Sequence, residues 1–177
     1  NKMNDYNDIK LLISDIDGVW TDGSIYRGTN NIELKKFTVF DGIGMAYARA
    51  ADLKIAIISA RYSSATEHRA KELNITDVYN GELNKLHAYN DLKKKYNLKD
   101  EQIAFLGDDV VDLFVMELVG LPIAVANATP QIMNVAKHVT ITKGGDGAFR
   151  EAVEWLIKKQ GRTEEVEKTM REKVLNS

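Results

Sequence analysis

Residues 9–18, "IKLLISDIDG", decide the fold. Ile9–Ser14 is a short aliphatic run ended by polar residues, the pattern of a buried parallel strand. Asp15 and Asp17 follow it directly, separated by one residue. Two carboxylates at the mouth of a buried strand repel each other, so something must offset their charge.

The same pattern recurs downstream. Lys54–Ser59, Ile103–Gly107 and Ile123–Val125 read as further buried strands, with weaker ones at Val78–Tyr79 and Val139–Ile141. Helical patterns lie between them at Ile43–Ala51, Ser63–Leu73, Leu83–Tyr96, Val110–Val119, from Thr129-Pro130 onward, and at Ala148–Lys159. Strands alternating with helices predict an α/β fold, a Rossmann-like parallel sheet with helices on both faces. Right-handed crossovers bring the strand ends to one edge. One segment breaks the alternation. Ser24–Val39, "SIYRGTNNIELKKFTV", carries strand-type residues on both sides of a Gly/Asn turn and predicts a β-hairpin overhanging the first strand's end. Residues 1–160 are expected to form one domain with this minimal hairpin cap at 24–39. Residues 161–177 form a charged tail, read as a solvated helix or frayed end.

Composition narrows the function classes. Of 177 residues, 24 are Lys or Arg and 26 Asp or Glu, a formal charge of -2. That balance gives no reason to expect nucleic acid or a membrane as partner. With no cysteine, thiol catalysis and thiolate zinc sites are excluded. No apolar stretch approaches the ~20 residues of a spanning helix, and "NKMNDYND" lacks a signal-peptide core, so the expected location is cytoplasmic.

In open parallel sheets ligands bind beyond the carboxyl ends of the strands. Those positions hold Asp15 and Asp17 after the first strand, Ser59 and Arg61 after the second, and Asp108, Asp109 and Asp112 after Ile103–Gly107. Lys85 lies near the start of the helix that follows the weak strand at Val78–Tyr79. If the strands are neighbours, Asp15, Asp17 and Asp108 converge, and an oxygen-only set suits Mg²⁺. Magnesium recruits phosphate, which Lys85 and Ser59 are then placed to hold. Without cysteine or a Ser–His pair, a carboxylate is the available nucleophile, and Asp15 at the strand tip is the more rigidly held. Asp17 is placed to move the proton. Alone, Asp-x-Asp also fits a plain loop or a sugar-nucleotide metal site, whereas a calcium loop fails because Val19 stands where a third oxygen ligand is required.

Four motifs, "DIDGV", "IISAR", Lys85 in "GELNKL" and "GDDVVD", resemble in content and order those of the haloacid dehalogenase-like phosphohydrolases. The stretches "DIDGVWTDG", "KKFTVFDGIGM", "YNGELNKL", "GLPIAVANA" and "GGDGAFRE" further resemble the family of 3-deoxy-D-manno-octulosonate 8-phosphate (KDO 8-phosphate) phosphatases. That resemblance implies an Mg²⁺-dependent phosphatase working through an aspartyl phosphate, in lipopolysaccharide sugar biosynthesis. It implies Asp15 as nucleophile and metal ligand, and Asp17 as acid/base and metal ligand through its backbone carbonyl. Asp108 would be the third ligand, Asp109 and Asp112 supports of the metal loop, and Ser59 and Lys85 the phosphate holders. Thr38, Val39, Phe40, Asp41, Gly42, Arg61 and Arg69 match positions that line the substrate site. The family's members form tetramers in which neighbours close the open site, and a tail carrying Arg162 or Arg171, or Arg150 near the Gly144-Gly145 turn, would offer charge to an anion. The chain departs from the pattern at Ser59, where many members have Thr, and at Phe40 and Ala46, where some have Arg. Phosphatases of nine-carbon sugar-acid 9-phosphates (KDN or sialic acid) share the core motifs. A non-catalytic module that oligomerises a sugar-nucleotide synthetase and a phosphomutase are the readings of other classes; a small cap suits a mutase poorly.

Overall fold

The computed structural model describes residues 6–176. Six strands form one parallel sheet: β1 (Leu11–Ser14), β4 (Lys54–Ser59), β5 (Asp77–Asn80), β6 (Ile103–Gly107), β7 (Leu121–Ala124) and β8 (His138–Val139). Their order across the sheet is β5-β4-β1-β6-β7-β8. The chain first builds leftward from β1, then returns and builds rightward from β6, so the order reverses between β1 and β6. Neighbouring loops diverge there and leave a crevice at the strands' carboxyl ends. Ser14 lies in register with Leu106 on one side and Ile57 on the other, which brings the ends of β1, β4 and β6 level.

Leu11, Leu12 and Ile13 of β1 and Ile103–Leu106 of β6 are fully buried, as strands covered on both faces must be. Helices α1 (Val39–Ala50), α6 (Ala148–Lys159) and α7 (Thr163–Leu175) pack together. So do α3 (Lys85–Tyr96), α4 (Leu113–Met116) and α5 (Pro130–Val135), while α2 (Ser64–Glu72) packs on β5.

The cap is a two-stranded antiparallel ribbon, β2 (Tyr26–Arg27) and β3 (Glu33–Leu34). Asn30 and Asn31 turn it with φ of 60° each, a conformation asparagine tolerates better than most residues. The hairpin segment ends earlier than the sequence suggests. Thr38 caps α1, its hydroxyl accepting the Phe40 amide, and Val39 is already helical.

The Val110–Val119 helix is broken. A 3₁₀ turn over Val110–Asp112 precedes the single-turn α4. The Asp112 carboxylate folds back onto the amides of Asp108 and Asp109, which winds this stretch more tightly than an α-helix. Ser63 sits at the α2 N-cap without a side-chain cap bond. Asn80 takes over, its side chain accepting the Ser63 amide and donating to the Ser63 carbonyl. Residues 163–175 are helical, and one side of that helix is dry: Val166 is fully buried against the rest of the chain.

Candidate active site

The loop after β1 is folded from below. Trp20 stacks on Phe149 with centroids 4.2 Å apart, and its indole Nε1 donates to Ser14 Oγ at 2.9 Å. The amides of Val19 and Trp20 bond the Ile16 carbonyl, and Thr21 Oγ1 accepts the amides of Gly18 and Gly23. Gly18 has φ of +81°, and a Cβ there would lie 1.9 Å from Asp108 Oδ2. Glycine is therefore what lets the loops after β1 and β6 touch.

Asp15 is buried, its Oδ1 accepting the Ile16 amide at 2.7 Å. Lys85, also buried, is 3.0 Å from Asp15 Oδ1 and donates to Asp112 Oδ1 at 2.6 Å. Carboxylate oxygens of Asp15, Asp108 and Asp112 lie within 4.8 Å of one another. Burial, then the neighbouring Asp112 charge, pushes Asp15 up to about 7. Burial, then Asp15, Asp112 and Asp109, pushes Asp108 up to about 8. Burial opposes the charge on Lys85, but the two carboxylates outweigh it and hold its pKa above the ordinary lysine value. Three carboxylates thus face one ammonium. A dication brings the balance to zero, and an all-oxygen donor set fits Mg²⁺.

A cavity of about 310 Å³ opens above this cluster, lined by Asp15, Asp17, Gly18, Gly23, Ser59, Ala60, Arg61, Asp108, Asp109 and Val111. Asp17 is not part of the carboxylate cluster; its Oδ1 accepts from Lys35 at 2.5 Å. Ser59 Oγ donates to the Arg61 carbonyl at 3.1 Å. Asp109 caps the following turn, accepting the Val110 amide at 2.7 Å. Lys85 lies beneath the cavity rather than in its wall.

The segment Thr38–Gly42 and Arg69 do not line this cavity. Arg69 Nη2 donates to the Thr38 carbonyl at 3.1 Å and Nη1 to Glu72, so they sit together at the start of α1. Val39 and Phe40 are exposed there, while Asp41 is buried. Arg162 bonds the Ala51 carbonyl and Glu165 and lines a groove with Lys10 and Leu53, at the opposite edge of the sheet.

A family model for haloacid dehalogenase-like hydrolases matches residues 48–151. The 3-deoxy-D-manno-octulosonate 8-phosphate phosphatase of Escherichia coli K12 is 46% identical over 157 residues, covering 89% of this chain and 84% of the relative. The chain belongs to the haloacid dehalogenase-like hydrolases. Its fold matches a phosphatase of the same description from Yersinia pestis at a TM-score of 0.87, with 43% identity over 90% of this chain and 86% of that one. A Moraxella catarrhalis homologue, solved with magnesium, phosphate and KDO, matches at 0.86, with 35% identity over 90% of this chain and 91% of that one. The extent of these matches makes this chain a phosphoric monoester hydrolase, and its oxygen-only carboxylate cluster fits the kind of cation that the Moraxella catarrhalis homologue holds.

Three residues at the site were not singled out from sequence. Lys35 and Glu33 arrive from the hairpin, and Asn127 joins the Gly18 carbonyl to the Gly144 amide, at 2.9 and 2.7 Å. A period-2 reading of "IELKK" puts Glu33 and Lys35 on one face but names no partner.

Proposed function

We propose that this hydrolase cleaves KDO 8-phosphate to KDO and inorganic phosphate through an aspartyl phosphate on Asp15. The carrying observation is Asp15 itself: buried, fixed at a strand tip, and open to a cavity whose rim holds a second carboxylate. Oδ1 is held by the Ile16 amide and Lys85, so Oδ2 is the attacking oxygen. Asp17 protonates the leaving alkoxide and later deprotonates the water that releases phosphate. Ser59 from the cavity wall and Lys85 from beneath it orient the phosphoryl group, and Arg61, paired with Glu33, lines the mouth. Asp15, Asp108 and the Asp17 carbonyl would hold the metal, with Asp112 and Asp109 shaping their loop. Bound Mg²⁺ supplies positive charge that lets an anion approach a phosphate dianion.

The substrate assignment rests on similarity to proteins named for KDO 8-phosphate along most of their length. The competent carboxylate set speaks against a non-catalytic module. The test is phosphate release with Mg²⁺ from KDO 8-phosphate, KDN 9-phosphate and sialic acid 9-phosphate. Preferred turnover of a nine-carbon acid would overturn the choice of sugar.

The open cap also favours self-association. Ile25, Tyr26, Ile32, Leu34, Val39, Phe40 and Ile43 expose apolar side chains along the hairpin and the start of α1. A second copy of this chain, assembling toward a tetramer, would cover them and place its residues near a site this chain leaves open. The domain of this reading is residues 1–160 with 161–177 as its C-terminal tail, and the expected location remains the cytoplasm.

A further inference from the structure

We propose that Lys35, carried by the cap hairpin, is a positioning residue that fixes the Asp17 carboxylate for proton transfer. This rests on the phosphatase reading above. Glu33 lies in the second strand of the ribbon, and Lys35 follows that strand directly. Glu33 is gripped by both terminal nitrogens of Arg61, which hold its carboxyl well below the usual range, at about 2. That grip draws the ribbon over the site. Two residues on, the Lys35 side chain is fully buried, with Nζ 2.5 Å from Asp17 Oδ1 and 3.3 Å from Thr66 Oγ1 on α2.

Burying a lysine costs hydration and side-chain entropy, and an apolar residue would seal the same gap without that cost. The charge is therefore there for Asp17. The Asp17 side chain is 27% exposed at the cavity, and the Lys35 ammonium holds its carboxyl from outside its own loop. With Oδ1 tied to the ammonium, Oδ2 is the oxygen left to serve the cavity that Asp17 lines. In the first half-reaction Asp17 enters with a proton on Oδ2; the bond from Asp15 to phosphorus forms as the bond to the leaving oxygen breaks, and Oδ2 gives that oxygen its proton. In the second, Oδ2 takes a proton from water as the water–phosphorus bond forms and the Asp15–phosphorus bond breaks. Lys35 transfers no proton itself.

The test uses substituted phenyl phosphates of similar size whose leaving groups range from an acidic nitrophenol to phenol. The value of kcat/KM reports the step in which the leaving group departs. Lys35→Met should leave the nitrophenyl substrate near wild type but lose at least roughly tenfold more on phenyl phosphate, a steeper leaving-group dependence. Lys35→Arg should restore most of the loss, and Lys36→Met, at an exposed neighbour, should follow wild type. Should Lys35→Met fail to fold by circular dichroism, Lys35→Gln carries the same comparison. An equal loss along the whole series, or none, overturns the proposal and leaves the phosphatase reading standing. Failure of the wild-type enzyme to release phosphate from any monoester would sink both.

Discussion

Asp41 is a carboxylate buried with half its capacity unmet: Oδ1 accepts the Arg150 amide at 3.1 Å, and Oδ2 has no partner among the described residues. Burial pushes it up to about 6. The folded chain therefore binds this proton more tightly than the unfolded chain. The stability it contributes is complete below about pH 4 and is lost as pH rises through 6, by roughly 2–3 kcal/mol. Asp41→Asn should remove the dependence, so the variant's melting temperature should gain on wild type between pH 4 and 7; parallel curves would contradict the burial argument. The metal cluster makes the opposite kind of prediction. Mg²⁺ binds the folded state alone, so it should raise the wild-type melting temperature with concentration. Asp108→Asn should lose that rise, and chelation should abolish turnover. Asp15 and Asp108 were legible from sequence because each follows an apolar run that could only be a central strand. Lys35 was not, since its partner lies 18 residues back and the strand it follows is only two residues long.

The glycine loop after β8 shows how closely two elements can be fitted. A Cβ on Gly144 would stand 1.9 Å from the Gly18 carbonyl oxygen, and Glu151 on α6 fixes the approach by accepting the amides of Ile141 and Thr142 at 2.7 and 2.8 Å. Gly144→Ala must push this loop off the catalytic one. It should destabilise the chain by about 1–3 kcal/mol and lower kcat more than it raises KM. Unchanged kcat would show that the two loops are not coupled. At this scale the sequence was read well where hydrophobic period sets the element: β4, β6 and α6 fall at the residues their patterns mark. It was read poorly where a side chain rewinds the backbone. Asp112 turns Val110–Asp112 into 3₁₀ geometry through bonds to Asp108 and Asp109, which hydrophobic spacing does not report.

Across the whole molecule, α7 and the hairpin carry the features least visible in composition. The terminal segment looks uniformly charged, yet Val166 is fully buried and Met170 packs against the core. Ending the chain after Gln160 should cost about 2–4 kcal/mol, by analogy with losing large buried side chains, and a denaturant midpoint measures it. The hairpin's apolar outer face predicts assembly: Leu34→Lys should shift light-scattering mass toward the monomer. Catalysis by the whole molecule turns on Asp15. The enzyme turning over KDO 8-phosphate with Mg²⁺ would be quenched in acid, digested, and the peptide containing Asp15 weighed. The account predicts a phosphoryl adduct on that peptide, absent from Asp15→Asn, which should lose at least about a thousandfold in kcat. Phosphate release without any adduct, together with wild-type turnover by Asp15→Asn, would contradict it.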